Sequence, residues 1–189
     1  MKEYINHNLD LEICNFSKLK DLTPTIEDVA KLCINALKSG NKIMFCGNGG
    51  SASDSQHLAA ELVGRYQINR KSLAAIALTT DTSNLTAIGN DFGFNNIFSR
   101  QVEGLGKQGD VLIGISTSGN SENVILALNK ANEMNISTVG FTGFSGGKIK
   151  DIVDLLVNVP SNIANNIQEM HIAVGHILCG LIEKEVCCE

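Results

Sequence analysis

Lys42-Ile-Met-Phe-Cys46, then Gly47-Asn-Gly-Gly50, then Ser51 to Arg65: this stretch decides the fold. A short apolar run, a glycine-rich turn and a segment with apolar residues at helical spacing predict strand, tight loop and helix in that order. The same order recurs downstream, in Asp110-Val-Leu-Ile-Gly-Ile115, Ser116-Thr-Ser-Gly-Asn120 and a helix predicted over Ser121 to Met134. Further strands are predicted at Ser137 to Phe141 and Ile152 to Val159, with another candidate at Leu73 to Leu78. Strands that alternate with helices and read as near-continuous apolar runs predict a parallel α/β sheet covered on both faces.

Outward from this core, Thr23 to Gly40 carries apolar residues at three- and four-residue intervals and predicts a helix stopped by Gly40. A weaker pattern over Tyr4 to Leu19 predicts an earlier helix with one apolar stripe, available to another element or another subunit. The last element, from about Asn162 to Glu185, reads as a long helix containing His171 and His176. The expected organisation is one domain over residues 1–189, with helices in 1–40 used in packing and oligomerisation and an α/β core in 41–189. No linker or repeat divides it.

Composition narrows the function classes. Hydrophobic residues make up 43% and charged residues 19%, enough apolar material for a core and too little charge for disorder. Fifteen Lys+Arg against 20 Asp+Glu leave a net charge of −5 with no basic run, which argues against a nucleic-acid partner. The N-terminus lacks the apolar stretch of a signal peptide, and no window reaches the roughly 18 apolar residues of a membrane span, so a cytoplasmic protein without a membrane partner is expected. The six cysteines form no C-x-x-C pair, and Cys187 and Cys188 are adjacent, an arrangement of packing thiols rather than of a disulfide framework or zinc knuckle.

Two glycine- and serine-rich loops in a parallel sheet both emerge at its carboxyl edge, where open α/β sheets bind ligands. Each has the chemistry for an anion: close backbone approach, N–H groups at a helix start, and the hydroxyls of Ser51, Ser116, Thr117, Ser118 and Ser121. Neither carries Lys or Arg, which suits one phosphate on a small molecule better than a triphosphate. The competing reading is helix capping, since Ser51 and Ser121 stand where N-caps belong; two such loops in one short chain favour the ligand. Gly47-Asn-Gly49-Gly-Ser-Ala52 formally matches a dinucleotide fingerprint, but no acidic residue follows at the end of a next strand, and no G-K-[ST] makes a Walker loop.

His57 and Glu61, four apart on the helix after the first loop, share one face and suit either a metal ion or proton transfer. In the last helix Gln168 and His176 are eight apart, about 12 Å along the axis and about 80° around it. A histidine on so apolar a helix is commonly a core residue, and His171 is the rival to His176 for any functional role.

Taken together, Gly47 to Ala52, His57 with Glu61, Gly89-Asn-Asp-Phe-Gly-Phe94, Ser116 to Ser121 and Ile167-Gln-Glu-Met-His171 resemble the sugar isomerase (SIS) domain family over nearly the whole chain. The resemblance implies a three-layer α-β-α sandwich with a flavodoxin-like doubly wound sheet plus N-terminal helices. It also implies an aldose–ketose isomerase that converts D-sedoheptulose 7-phosphate to D-glycero-D-manno-heptose 7-phosphate, opening heptose precursor synthesis for lipopolysaccharide core or capsule. A homotetramer with active sites at subunit interfaces and one zinc ion per subunit are implied as well. By the same resemblance the phosphate falls on Ser51, Ser116, Thr117, Ser118 and Ser121, and the sugar on Asn48, Gly49, Gly50, Glu61, Asn90, Asp91 and Gln168, with Arg65 a further candidate. Proton transfer falls on Glu61 and His176, and the metal on His57, Glu61, Gln168 and His176. The chain departs from the family at Asn165, where an acidic residue is expected and an amide cannot act as a base. A non-catalytic member of the same fold, recognising a replication initiator or sensing a sugar phosphate, would not need Glu61 and His176 together; both are present.

Overall fold

The computed structural model describes residues 1–187. Helix α1 (Lys2–Leu19) and helix α2 (Thr23–Lys38) precede the core, with Pro24 in the first turn of α2 and Gly40, at φ 76°, just past its end. There follow β1 (Ile43–Gly47), α3 (Gly50–Val63), β2 (Ala75–Ala77), α4 (Thr82–Phe92), α5 (Ser99–Leu105), β3 (Val111–Ile115), α6 (Glu122–Glu133), β4 (Ser137–Thr142), β5 (Leu155–Asn158) and α7 (Ala164–Cys187). The five strands form one sheet in the order β2-β1-β3-β4-β5, every neighbouring pair parallel. This is the flavodoxin-like doubly wound order, with its switch point between β1 and β3. Among the described residues, no helix is long and apolar enough to cross a membrane.

Strand periodicity explains the two layers of helices. Ile43 and Phe45 of β1, with Val111, Ile113 and Ile115 of β3 and Val139 and Phe141 of β4, point to the face covered by α2, α3 and α7. Met44 and Cys46, with Leu112, point to the opposite face, where α5 and α6 bury Val102, Val124, Ala127 and Leu128. The strands are buried on both sides, which is why they read as apolar runs rather than alternations.

Two helices, α4 and α5, are not legible in the sequence. Helix α4 is Thr-Ser-Asn-Leu-Thr-Ala-Ile-Gly-Asn-Asp-Phe, poor in helix formers, and it buries no residue; Asp81 starts it by accepting the Asn84 N–H at 3.0 Å. The final strand is shorter than its apolar run. Residues Ile149–Asp151 make a 3-10 turn, and Asp154, just ahead of β5, accepts the Thr138 N–H at 2.8 Å.

Candidate active site

Both glycine-rich loops leave the carboxyl ends of β1 and β3, and Gly47 and Ile115 pair directly, so the loops lie side by side at the switch point. Gly49 takes φ 57° to start α3, and neither α3 nor α6 has a side-chain cap. The serines are engaged otherwise: Ser51 is buried, and Ser116 Oγ lies 2.9 Å from Ser121 Oγ. Neither Ser51 nor Ser121 therefore acts as the side-chain cap that the competing reading assigned to it. Asn48 and Asn123 exchange reciprocal amide hydrogen bonds of 2.8 and 2.9 Å that tie the first loop to α6. A third loop closes against the second. The Gly143 N–H donates to the Thr117 carbonyl at 3.0 Å, and the Lys148 N–H donates to Asn120 Oδ1 at 3.1 Å, placing a lysine beside loops that have no cation of their own.

Helices α3 and α7 both follow strands of the parallel sheet and run in the same direction, in close contact. Two glycines permit this: a Cβ on Gly50 would lie 2.7 Å from the Gln168 amide, and one on Gly175 would lie 2.5 Å from the buried Leu58 side chain. Across this contact the rings of His57 and His176 meet edge to face with centroids 4.9 Å apart. His176 Nε2 lies 3.2 Å from His57 Nε2, which lies 3.1 Å from Glu61 Oε1.

The ligand atoms of His57, Glu61 and His176 all fall within 4.8 Å of one another. Two ligands bound at the usual zinc distances in tetrahedral geometry stand about 3.3 Å apart, so the observed 3.1 and 3.2 Å suit a shared ion. The donor set, two imidazoles and a carboxylate, also fits that metal. Asp54, one turn before His57, has its carboxyl raised by burial, partly offset by the charges of His57 and His176, and its Oδ2 is buried without a partner.

The remaining candidates divide. Gln168 packs its amide against Gly50, beside the first loop and two turns of α3 ahead of His57. Asn90 and Asp91 end the exposed helix α4, where Asn90 Nδ2 donates to Asp91 Oδ1 at 2.7 Å. Arg65 is exposed just beyond α3, and among the described residues no carboxylate pairs with it. His171 belongs to the core: it is buried, its Nε2–H donates to the Thr142 carbonyl at 3.1 Å, and burial pushes its pKa down to about 4.

Sequence reasoning missed Asn123 and Tyr66. Tyr66 sits in Gly64-Arg-Tyr-Gln-Ile-Asn-Arg70, a stretch without regular structure, and stacks on His176 with centroids 5.7 Å apart and planes 22° from parallel. Its only local signal is an aromatic residue among polar ones.

A family model described as SIS domain matches residues 15–143. The chain belongs to the SIS domain family. It is 56% identical over 186 residues to a phosphoheptose isomerase of Akkermansia muciniphila, covering 98% of each chain. It is 55% identical over 172 residues to one of Rhodospirillum rubrum, covering 91% of this chain and 92% of that one. A solved phosphoheptose isomerase from Neisseria gonorrhoeae superposes with a TM-score of 0.92 at 45% identity, covering 97% of this chain and 98% of that chain.

Proposed function

We propose that the protein is a phosphoheptose isomerase that interconverts D-sedoheptulose 7-phosphate and D-glycero-D-manno-heptose 7-phosphate through an enediol. The observation that carries this reading is the convergence of His57, Glu61 and His176 beside two uncapped serine- and glycine-rich loops. The substrate phosphate sits on Ser51, Ser116, Thr117, Ser118 and Ser121 at the two helix N-termini. Gly49 and Gly50 let the backbone approach the sugar, Asn48 and Gln168 bind its hydroxyls, and Asn90, Asp91 and Arg65 complete the contacts.

Moving a carbonyl between C1 and C2 needs one group to take a proton from carbon and another to serve the oxygens. Glu61 and His176 divide that work. Glu61 turns Oε1 toward His57, and its Oε2 has no hydrogen-bond donor among the described residues, leaving it available for a proton. Zinc held by His57, Glu61, Gln168 and His176 would supply Lewis-acid polarisation of the carbonyl.

The protein works as a homotetramer in the cytoplasm, with active sites shared between subunits, at the first step toward heptose precursors of lipopolysaccharide or capsule. Support for assembly comes from the exposed apolar face of α1, with Ile5, Leu9 and Ile13, and from exposed Phe92 and Phe94 next to Asn90 and Asp91. Proton NMR of the protein with sedoheptulose 7-phosphate in deuterated water tests the function. The expected result is an aldose anomeric signal with deuterium at C2. Binding of the sugar phosphate without product, with zinc supplied, would replace the isomerase with a binding protein.

A further inference from the structure

Outside the triad, Arg70 and Glu183 form a buried ion pair, with Arg70 Nε donating to Glu183 Oε2 at 2.9 Å. Removing two charges from water is costly, and such a pair persists where hydrogen bonds satisfy both partners. Here they do. Glu183 Oε1 accepts the N–H groups of Gln67 and Ile68 at 2.8 and 3.0 Å, and Oε2 accepts that of Tyr66 at 3.0 Å. Burial works against the Glu183 charge, and these donors together with Arg70 outweigh it, holding the carboxyl below its ordinary range. Arg70 also holds the end of α3, with Nη2 donating to the Glu61 carbonyl and Nη1 to that of Leu62, each at 2.8 Å, and Nη1 donates as well to the Lys71 carbonyl at 3.0 Å.

The pair thus joins three things: the last turn of α3 that carries Glu61, the body of α7 that carries His176, and the connecting segment that carries Tyr66. Rotation of an imidazole about its last side-chain bond has a broad minimum, so a ring that is only partly buried, as that of His176 is, needs a neighbour to fix it. Tyr66 is that neighbour. It covers one face of the His176 ring while His57 meets the ring edge to face.

We propose that Tyr66, held by the Glu183–Arg70 clamp, is a positioning residue for His176, keeping its ring turned so that Nε2 faces His57 and Glu61. This rests on the acid–base role of His176 proposed above. Because Glu183→Gln strips a buried arginine of its partner and endangers the fold, the test uses Tyr66. Tyr66→Leu should lower kcat roughly ten- to a hundredfold with KM within about twofold, while Tyr66→Phe, which keeps the ring, should recover most of the rate.

A second readout is independent of turnover. The His176 Cε1–H resonance should be displaced by the tyrosine ring current in the wild type and in Tyr66→Phe, and should move toward the position of an unstacked histidine in Tyr66→Leu. Wild-type kcat in Tyr66→Leu, with His176→Asn inactive, would overturn the positioning role alone. Full activity in His176→Asn would bring down the acid–base reading and the positioning role together, and an unmoved His176 resonance in Tyr66→Leu would refute the stacking itself.

Discussion

Glu61 has one carboxylate oxygen toward His57 and one free, and its charge is what the chemistry needs rather than its shape. Glu61→Gln keeps the volume and hydrogen bonding of the side chain, so the fold and sugar-phosphate binding should persist while turnover falls at least about a hundredfold, read by steady-state kinetics. His171 supplies the contrast within the same helix. Its ring is neutral in the fold, with a pKa held near 4 by burial, whereas the unfolded chain binds a proton at the ordinary value of 6.5. A depressed histidine contributes stability that is present above pH 6.5 and lost as pH falls toward 4, roughly 3 kcal/mol over that window. Denaturant unfolding should show this slope in the wild type and a flatter one in His171→Gln. The loop residues were legible because glycine and serine beside a strand end have few other uses. The choice of His176 over His171 came from the family resemblance and not from spacing, because it depends on which ring faces α3.

At the level of elements, the contact between α3 and α7 makes the site. A methyl at Gly175 would enter the space of Leu58, which is buried and has no room to retreat. Gly175→Ala should cost about 1–3 kcal/mol of stability by denaturant unfolding. It should also weaken zinc binding, read by titration against a chelator, because the same displacement parts His57 from His176.

The docking of α1 on α7 is sensitive to pH. Glu12 buries both carboxylate oxygens without a donor, and burial together with the nearby Glu169 raises its pKa from 4.5 to about 7. A raised carboxyl favours the docked state below pH 4.5 and loses that contribution as pH rises through 7. Hydrogen-exchange protection of α1 should therefore fall between about pH 4.5 and 7 in the wild type and change less in Glu12→Gln. Of the elements, α1, α2 and α7 were visible as amphipathic or apolar periodicity. Helix α4 was not, because its apolar stripe of Leu85, Ile88 and Phe92 is short, only partly buried, and set among residues that favour turns.

Considered whole, the single chain leaves apolar side chains of α1 uncovered, which supports the assembly proposed above. Leu9 and Ile13 are 58% and 65% exposed, four residues apart on one face of α1. Leu9→Glu with Ile13→Glu should dissociate the assembly, lowering the mass seen by light scattering while leaving the circular dichroism of the fold in place. Activity should fall with the mass, since in the proposed assembly Asn90 and Asp91, on the exposed α4, complete sites shared between subunits.

The sequence by itself determined the parallel sheet, the two glycine-rich loops at its edge and the pairing of His57 with Glu61, because strand runs, glycine turns and i,i+4 spacing are local patterns that physics reads over a few residues. The family resemblance named His176 and Gln168, but only tertiary structure brings the His176 ring against His57, sets Gln168 beside Gly50 and lays Tyr66 over the imidazole. These depend on the register of α7 against α3, set by two glycines 125 residues apart. Close packing between distant segments has no signature in the spacing of either one.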